Sequence, residues 1–177
     1  MSWLDDFPGA AFVWTAVPDL NGQARGKRLP SERAKSLPGG SSKMPLSALS
    51  LDIFGDDIED SPLVFASGDK DGFLRPTERG GVWMPWLENP SILLPMAMEH
   101  GPGRPFAGDA RHALKRILDR YADRGWTVQA ATELEFYLLP GRDADPLKTR
   151  LSMGGDILGL QSIEAYDGFI SELYASC

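Results

Sequence analysis

The sequence is poor in the residues that build disulfide frameworks and zinc clusters. Its 177 residues include one cysteine, Cys177, and two histidines, His100 and His112. A single cysteine excludes an intrachain disulfide, and isolated histidines lack the spaced partners that a zinc site needs. This scarcity is typical of a protein from a reducing compartment.

Long apolar runs and an excess of positive charge are also missing. No apolar stretch of the sequence approaches the roughly 20 residues that span a bilayer, and the acidic start lacks the positive segment of a signal peptide. Lys and Arg total 18 against 25 Asp and Glu, a net charge of −7, whereas nucleic-acid binding calls for a basic footprint. We therefore expect a cytoplasmic protein that engages neither nucleic acid nor membrane.

Glycine and proline are abundant instead, and they concentrate in about the first 110 residues, which indicates short strands and turns. The run 11–17 is β-branched and aromatic, and Asn21-Gly22 predicts a hairpin that returns over 24–29. A short helix capped by Ser31 should follow. Further strands are predicted over 63–66, 72–74, 82–84 and 92–98, with the prolines at 85, 90 and 95 favouring edges or bulges over a long central strand.

The amino-acid composition changes at residues 101–105, which we take as a domain boundary between 1–103 and 104–177. Asp109 can cap a helix over 110–124, with Gly125 as its stop. The helix is amphipathic, since apolar residues recur at helical spacing: Leu114, Ile117, Leu118 and Tyr121. A strand over 126–139 and a second amphipathic helix near the end of the chain are predicted to follow.

Two acidic residues in the predicted strand are the main candidates for chemistry. Strand side chains alternate between faces, so Glu133 and Glu135 would project from one polar face, opposite an apolar one. At about 6–7 Å apart along the backbone, the two carboxylates would repel each other unless a cation lay beside them. Mg²⁺ and Mn²⁺ choose such oxygen ligands. A solvent-exposed pair of no special function is the alternative.

Other polar clusters have ordinary interpretations. The acidic run 52–60 does not match the ligand spacing of a calcium loop and is expected to be a solvated loop. Arg25 and Lys27 are expected to be exposed cations on a hairpin strand.

Taken in order, the motifs resemble the N-terminal part of a glutamine synthetase, and most of all the branch that includes γ-glutamylpolyamine synthetases. The resemblance covers nearly the whole chain, and Glu133-Leu134-Glu135-Phe136 is its most specific part. The other matching segments are 19–27, 47–55, 68–71 with Pro76, Pro85-Trp86, 108–111, 159–162 and 174–177.

The resemblance implies an α+β fold, in which a β-grasp-like domain over 1–103 precedes the first helix, strand and helix of a catalytic domain over 104–177. It implies an ATP-dependent ligase of nitrogen metabolism, which joins ammonia or another amine to glutamate through γ-glutamyl phosphate. Two divalent metals, Mg²⁺ or Mn²⁺, organise such a site. By position, Glu135 would hold the metal near glutamate and Glu133 the metal near the ATP phosphates. The family assembles as homo-oligomeric rings.

The resemblance also implies a loop within residues 44–55 that reaches a neighbouring subunit, where Asp52 and Ser47 are substrate-binding candidates. The family's Asp-Gly-Ser-Ser segment is replaced there by residues 45–52, and its glycine two residues before the first glutamate is Ala131. The first change puts ammonia as the amine in doubt.

The remaining ligands and most ATP contacts of the family come later in its longer chains, so we expect an N-terminal fragment without turnover and with no catalytic residue of its own. Two alternatives stay open: another carboxylate–amine ligase on the same scaffold, and a non-catalytic module that binds a partner through its sheet edges and last helix.

Overall fold

The computed structural model describes residues 3–139, 141–145 and 159–176. The chain folds as two compact units, Met1–Val128 and Gln129–Cys177. The division between 103 and 104 proposed from sequence stays a prediction. Within the first unit, residues 101–105 form a tight turn that joins two paired strands.

Seven strands among the described residues build the sheet of the first unit, in the order β2-β1-β6-β4-β3, with β5 and β7 also paired to β6. Their bounds are β1 Phe12–Pro18, β2 Ala24–Pro30, β3 Lys43–Pro45, β4 Asp71–Pro76, β5 Val82–Met84, β6 Ser91–Gly101 and β7 Arg104–Pro105. The pair β1–β6 is parallel and the other pairs are antiparallel. Together with the helices below, this confirms a mixed α+β fold.

The first hairpin forms where the sequence predicts it, with Pro18 opposite Ala24 at the turn end and Phe12 opposite Pro30 at the other. The predicted strand over 63–66 is wrong, because Pro62–Ala66 forms a single π-helical turn. Ser61 begins that turn by accepting a hydrogen bond from the Leu63 amide.

β6 is the central strand although it contains a proline. Pro95 lies between the part of β6 that pairs with β5, Ser91 to Leu93, and the part that pairs with β4, Met96 to Glu99. Neither β4 nor β5 has a residue paired with Pro95, so the N–H that proline lacks is not needed on that side of β6. The expectation that Pro95 would favour an edge or a bulge over a long central strand is wrong here, because Pro95 falls in the gap between these two pairings.

The hydrophobic core lies on one face of the sheet, where alternate strand residues meet short helical segments. The helix α1, Ser31–Ala34, and the 3₁₀ turns Leu37–Gly39 and Leu46–Leu49 cover this face. Ser31 is the first residue of α1 and not its cap; its hydroxyl donates to the Ala10 carbonyl. The buried apolar side chains are Val13, Val17, Ala34, Leu37, Met44, Leu46, Leu49, Leu74, Ile92, Leu94, Met96, Met98 and Phe106.

Helix α2 spans Ala110–Ala122 and is capped by Asp109, as predicted. At its end Gly125 adopts a positive φ of 71°, and its amide and that of Trp126 donate to the carbonyls of Ala122 and Tyr121. This is the Schellman arrangement that glycine permits. α2 has no buried residue, so its apolar stripe faces solvent.

The second unit contains the helices α3, Leu160–Glu164, and α4, Asp167–Ser176. They replace the single last helix expected from sequence, whose final residue, Cys177, lies outside the described residues. In the described part of the chain, no helix combines the length and apolar character needed to cross a membrane.

Candidate functional site

Glu133 and Glu135 lie in an irregular segment and are both exposed. The predicted strand over 126–139 is wrong for this structure, because residues 126–139 form no strand. A strand is stable only when a neighbour completes its backbone hydrogen bonds, and among the described residues after Pro105 none belongs to a strand. Polar and apolar residues therefore alternate in this segment, but no described strand pairs with it.

The expected apolar face of this segment makes aromatic contacts at two positions. Trp126 packs against Tyr121 of α2, with ring centroids 6.0 Å apart. Phe136 meets Phe169 of α4 edge to face, with ring centroids 6.2 Å apart. Leu134, two residues earlier, is 84% exposed. Both contacts are aromatic, and the segment between them has no strand that would align the two glutamates on one face.

The two carboxylates have the chemistry of ligands for a hard divalent cation, but too few donors for a closed site. Neither Glu133 nor Glu135 forms an ion pair with another described residue. Among the described residues, no group of three or more His, Cys, Asp or Glu is arranged to hold a metal. Mg²⁺ prefers six oxygen ligands and Ca²⁺ six to eight, so most positions would have to be filled by other groups. Their assignment as ligands stays a prediction.

Ser47 is a buried side chain whose hydroxyl already has a partner. It is 5% exposed, and its Oγ donates to Asp69 Oδ1 at 2.6 Å. Asp69 has a positive φ of 50°, the one such non-glycine residue in the described chain. The contact joins the 3₁₀ turn after β3 to the loop before β4, so in this structure Ser47 serves the fold.

Asp52 organises the loop that follows that 3₁₀ turn. Its Oδ1 accepts the amides of Phe54 at 2.8 Å and Asp56 at 2.9 Å. The amide of Asp56, followed by that of Phe54, lowers the pKa of the Asp52 carboxyl despite partial desolvation. Asn21 clamps the same loop, since its Nδ2 donates to the carbonyls of Leu51 and Asp52 at 2.9 and 3.0 Å.

Asp19 is a polar hub that the sequence reasoning missed. Its fully covered carboxylate bonds the amides of Asn21 and Gln23 at 2.8 Å, and Arg25 Nε at 2.8 Å. Burial raises the pKa of Asp19, but the hydrogen bonds from Arg25, Gln23 and Asn21 outweigh it and the pKa is lowered overall. An Asp two residues before Asn-Gly, with Arg shortly after, was the available signal.

The similarity of this chain to known proteins extends over the segment that contains Glu133 and Glu135. The family described as glutamine synthetase, catalytic domain, matches residues 107–175, which include both glutamates. This match confirms the resemblance to the glutamine synthetase superfamily that the motif order predicted.

Curated relatives show the same affiliation. The chain is 33% identical to the Escherichia coli gamma-glutamylputrescine synthetase PuuA, over 81% of this chain and 30% of the relative. It is 29% identical to a Thermotoga maritima glutamine synthetase, over 64% of this chain and 29% of the relative. The chain thus spans about 30% of the length of the relatives it matches.

Solved structures support the fold. A glutamine synthase homologue superposes with a TM-score of 0.58 at 21% identity, over 65% of this chain and 27% of the other. A GmaS–ADP complex gives a TM-score of 0.54 at 25% identity, over 70% of this chain and 25% of the other.

Proposed function

We propose that this chain is the N-terminal part of an ATP-dependent ligase that forms a γ-glutamyl amide from glutamate and an amine through γ-glutamyl phosphate. The observation that carries the proposal is the 33% identity to gamma-glutamylputrescine synthetase over 81% of the chain. The catalytic-domain match over 107–175 supports it independently. The similarity to GmaS, solved with ADP, supports a nucleotide substrate.

In this proposal residues 1–103 are the β-grasp domain of a cytoplasmic enzyme, and the segment from residue 104 opens its catalytic domain. The polypeptide that completes the sheet would pair with residues 126–139 and convert them into a strand. Glu133 and Glu135 would then share one face, about 6–7 Å apart along the backbone. The intact enzyme would be a homo-oligomeric ring.

Glu133 and Glu135 would hold Mg²⁺ or Mn²⁺ in that enzyme. The metal would supply neutralisation of the phosphoryl oxygens, so that a carboxylate can approach the γ-phosphate of ATP. The chain's own contribution would be to set both carboxylates on a ribbon anchored by Phe136, whose ring already contacts Phe169. These 177 residues would not turn over alone.

An amine larger than ammonia is the favoured acceptor. A relative named for putrescine shares 33% identity, and residues 45–52 lack the Asp-Gly-Ser-Ser segment of the resemblance. A ligase of the same scaffold that uses another carboxylate is the second candidate.

Titration of the chain with Mn²⁺, followed by electron paramagnetic resonance, tests the ligand assignment. We expect weak binding, with a dissociation constant on the order of 10⁻⁴–10⁻³ M, the range of the weakest oxygen-ligand sites for Ca²⁺. Glu133→Gln and Glu135→Gln should each weaken it, and Glu172→Gln, an exposed glutamate of α4, should not. Tight binding of two ions would contradict the fragment assignment. Equal binding by all three variants would refute the role of the two glutamates.

A coupled assay for ADP release, with glutamate, ATP and putrescine or ammonia, tests the activity. The chain alone is expected to give no product. Steady turnover by the purified 177 residues would show that the site is complete without further polypeptide.

A further inference from the structure

The last turn of α2 and the residue after its glycine stop form a cavity on the surface of the first unit. The cavity has a volume of about 310 Å³, which lies at the lower end of the range for small-molecule sites. Neither Glu133 nor Glu135 belongs to it. Its lining consists of two arginines, two aromatic residues and one aliphatic residue: Ile117, Arg120, Tyr121, Arg124 and Trp126.

The backbone that follows α2 holds the aromatic side chains of this cavity in place. Gly125 turns the chain back with its positive φ, and the Trp126 amide donates to the Tyr121 carbonyl at 3.1 Å. The two rings lie with their planes inclined at 45°. Trp126 is 60% exposed and Tyr121 is 42% exposed, so both rings keep uncovered surface. The aromatic part of the cavity is therefore preformed, which reduces the ordering cost of binding a ligand.

The two arginines of the cavity have no carboxylate partner in the described part of the chain. Arg124 Nη1 donates to the Arg120 carbonyl at 2.7 Å, which fixes one guanidinium beside the last turn of α2. The acidic residues of this turn, Asp119 and Asp123, are not in the lining, and Asp119 is paired with Lys115 at 2.8 Å. The cavity therefore presents two cations whose charge the protein does not neutralise.

The local charge favours an anion even though the cavity lies at the C-terminal end of a helix. The helix dipole places about half a negative charge at that end, whereas the two guanidiniums contribute two positive charges. The sum is roughly +1.5. Arg116, Arg120 and Arg124 also follow one another at intervals of four, and like charges at this spacing destabilise a helix. A bound anion would relieve that repulsion.

The groups that line the cavity fit a flat ring that carries a phosphate. Guanidinium groups bind phosphate through paired N–H donors, which gives both charge and direction to the contact. Aromatic side chains stack on flat rings, whatever the identity of the ring. Ile117 adds an apolar surface for the same ring. A phosphate without a ring would leave the aromatic surface unused, and a ring without a phosphate would leave the two cations unpaired.

We propose that this cavity binds a phosphorylated aromatic molecule, with the phosphate at Arg120 and Arg124 and the ring against Trp126. Two sources share this chemistry, a nucleoside monophosphate and an aryl phosphate. The inference does not rest on ligase activity, because the cavity is formed by residues to which the proposed ligation gives no role.

Isothermal titration calorimetry of the 177-residue chain, in buffer with a chelator, tests the site with four probes: AMP, phenyl phosphate, adenosine and inorganic phosphate. The chelator prevents phosphate from binding through a metal at Glu133 and Glu135. AMP and phenyl phosphate should each bind more tightly than adenosine or inorganic phosphate. Tighter binding of AMP than of phenyl phosphate would assign the site to nucleotides, and equal or weaker binding would assign it to aryl phosphates. Absence of binding by both compounds at millimolar concentration, or equally tight binding of inorganic phosphate, would overturn the proposal.

Single substitutions locate the binding. Arg120→Gln should weaken the binding of AMP and phenyl phosphate about tenfold, the loss expected for a charge-assisted hydrogen bond. Arg116→Gln removes the same charge one turn earlier on α2, outside the lining, and should change the affinity less than about twofold. Equal losses in these two variants would indicate a general effect of charge and would overturn the site.

Trp126→Leu tests the ring contact separately. It should weaken both ring-bearing phosphates about fivefold or more and leave the affinity for inorganic phosphate unchanged. Circular dichroism of every variant checks that α2 stays folded, and Arg120→Lys, which keeps the charge without the paired donors, should recover part of the loss in Arg120→Gln. Unchanged binding of AMP and phenyl phosphate by Trp126→Leu would contradict the placement of the ring.

Discussion

Asp109 offers the most direct test of how the sheet holds helix α2. Its carboxylate is fully buried, with Oδ2 2.6 Å from the Met98 amide of β6 and Oδ1 2.8 Å from the Arg111 amide. His112 reinforces the joint, because its Nε2 lies 2.9 Å from the Met98 carbonyl. One carboxylate therefore caps the helix and satisfies a backbone donor of the central strand.

The cost of Asp109→Ala can be worked from these two bonds. Losing an N-cap costs about 0.5–2 kcal/mol, and leaving the buried Met98 amide without an acceptor costs about 1–3 kcal/mol. We expect a loss of roughly 2–4 kcal/mol in the free energy of unfolding by urea. Helical ellipticity should fall as well, since α2 has no buried side chain to retain it.

Asp109→Asn separates the two contributions. Asn is an equally good cap, so its carbonyl can keep the Arg111 bond while its amide group faces the Met98 donor. It should recover about 1 kcal/mol, the usual contribution of a cap, and leave the Met98 amide exposed to rapid hydrogen exchange. Asp119→Ala removes an exposed carboxylate paired with Lys115 and should cost at most about 1 kcal/mol. If Asp109→Ala cost no more than this control, the buried carboxylate would not be the joint described.

Two further predictions concern the first hairpin. A Cβ at Gly26 would lie 1.7 Å from the Thr15 carbonyl oxygen, so Gly26→Ala should lower the free energy of unfolding by more than about 2 kcal/mol in thermal unfolding. Gly39→Ala, where a Cβ would meet open space, should be nearly neutral. Equal melting temperatures of the two variants would refute the close approach of Gly26 to Thr15. Because the folded pKa of Asp19 is lowered, its carboxylate stabilises the fold above the unfolded pKa of 3.8 and loses that effect as pH falls through the folded pKa. In urea unfolding, Asp19→Asn should therefore have a lower free energy of unfolding than the wild type at pH 7, and this difference should become smaller at pH 3. Arg25→Gln should show the same pattern. A difference that did not depend on pH would contradict the ionic role of Asp19.

Local signals predicted the elements whose partners lie close in sequence. Asn21-Gly22 predicted the first hairpin. Asp109, together with the apolar stripe of α2, predicted the residue at which that helix begins. The segment 63–66 has the composition of a strand, yet Pro62 and the Ser61 cap fold it into a helical turn. Periodicity describes which faces a segment could bury, and it does not supply the neighbour that buries them.

For the candidate site, too, properties of single side chains could be predicted and arrangements that need a neighbouring element could not. The residue types at Glu133 and Glu135 predicted a preference for hard cations, which depends on the side chains alone. Their placement on one face required a paired strand, which the described residues do not provide. Asp19 and Asp52 were harder to predict, because their roles arise from backbone amides that converge only once the hairpin and the loop over residues 52–60 are folded.

The parallel pairing of β1 with β6 has a consequence for how the chain acquires its structure. Phe12 is opposite Ser91, so the first strand must wait for a segment synthesised nearly eighty positions later. Closing so long a loop slows folding relative to local pairing. On the ribosome the β1–β2 hairpin can form early, but the edge of β1 that pairs with β6 stays without its partner until β6 emerges. Chaperone demand should therefore be concentrated in that interval of translation.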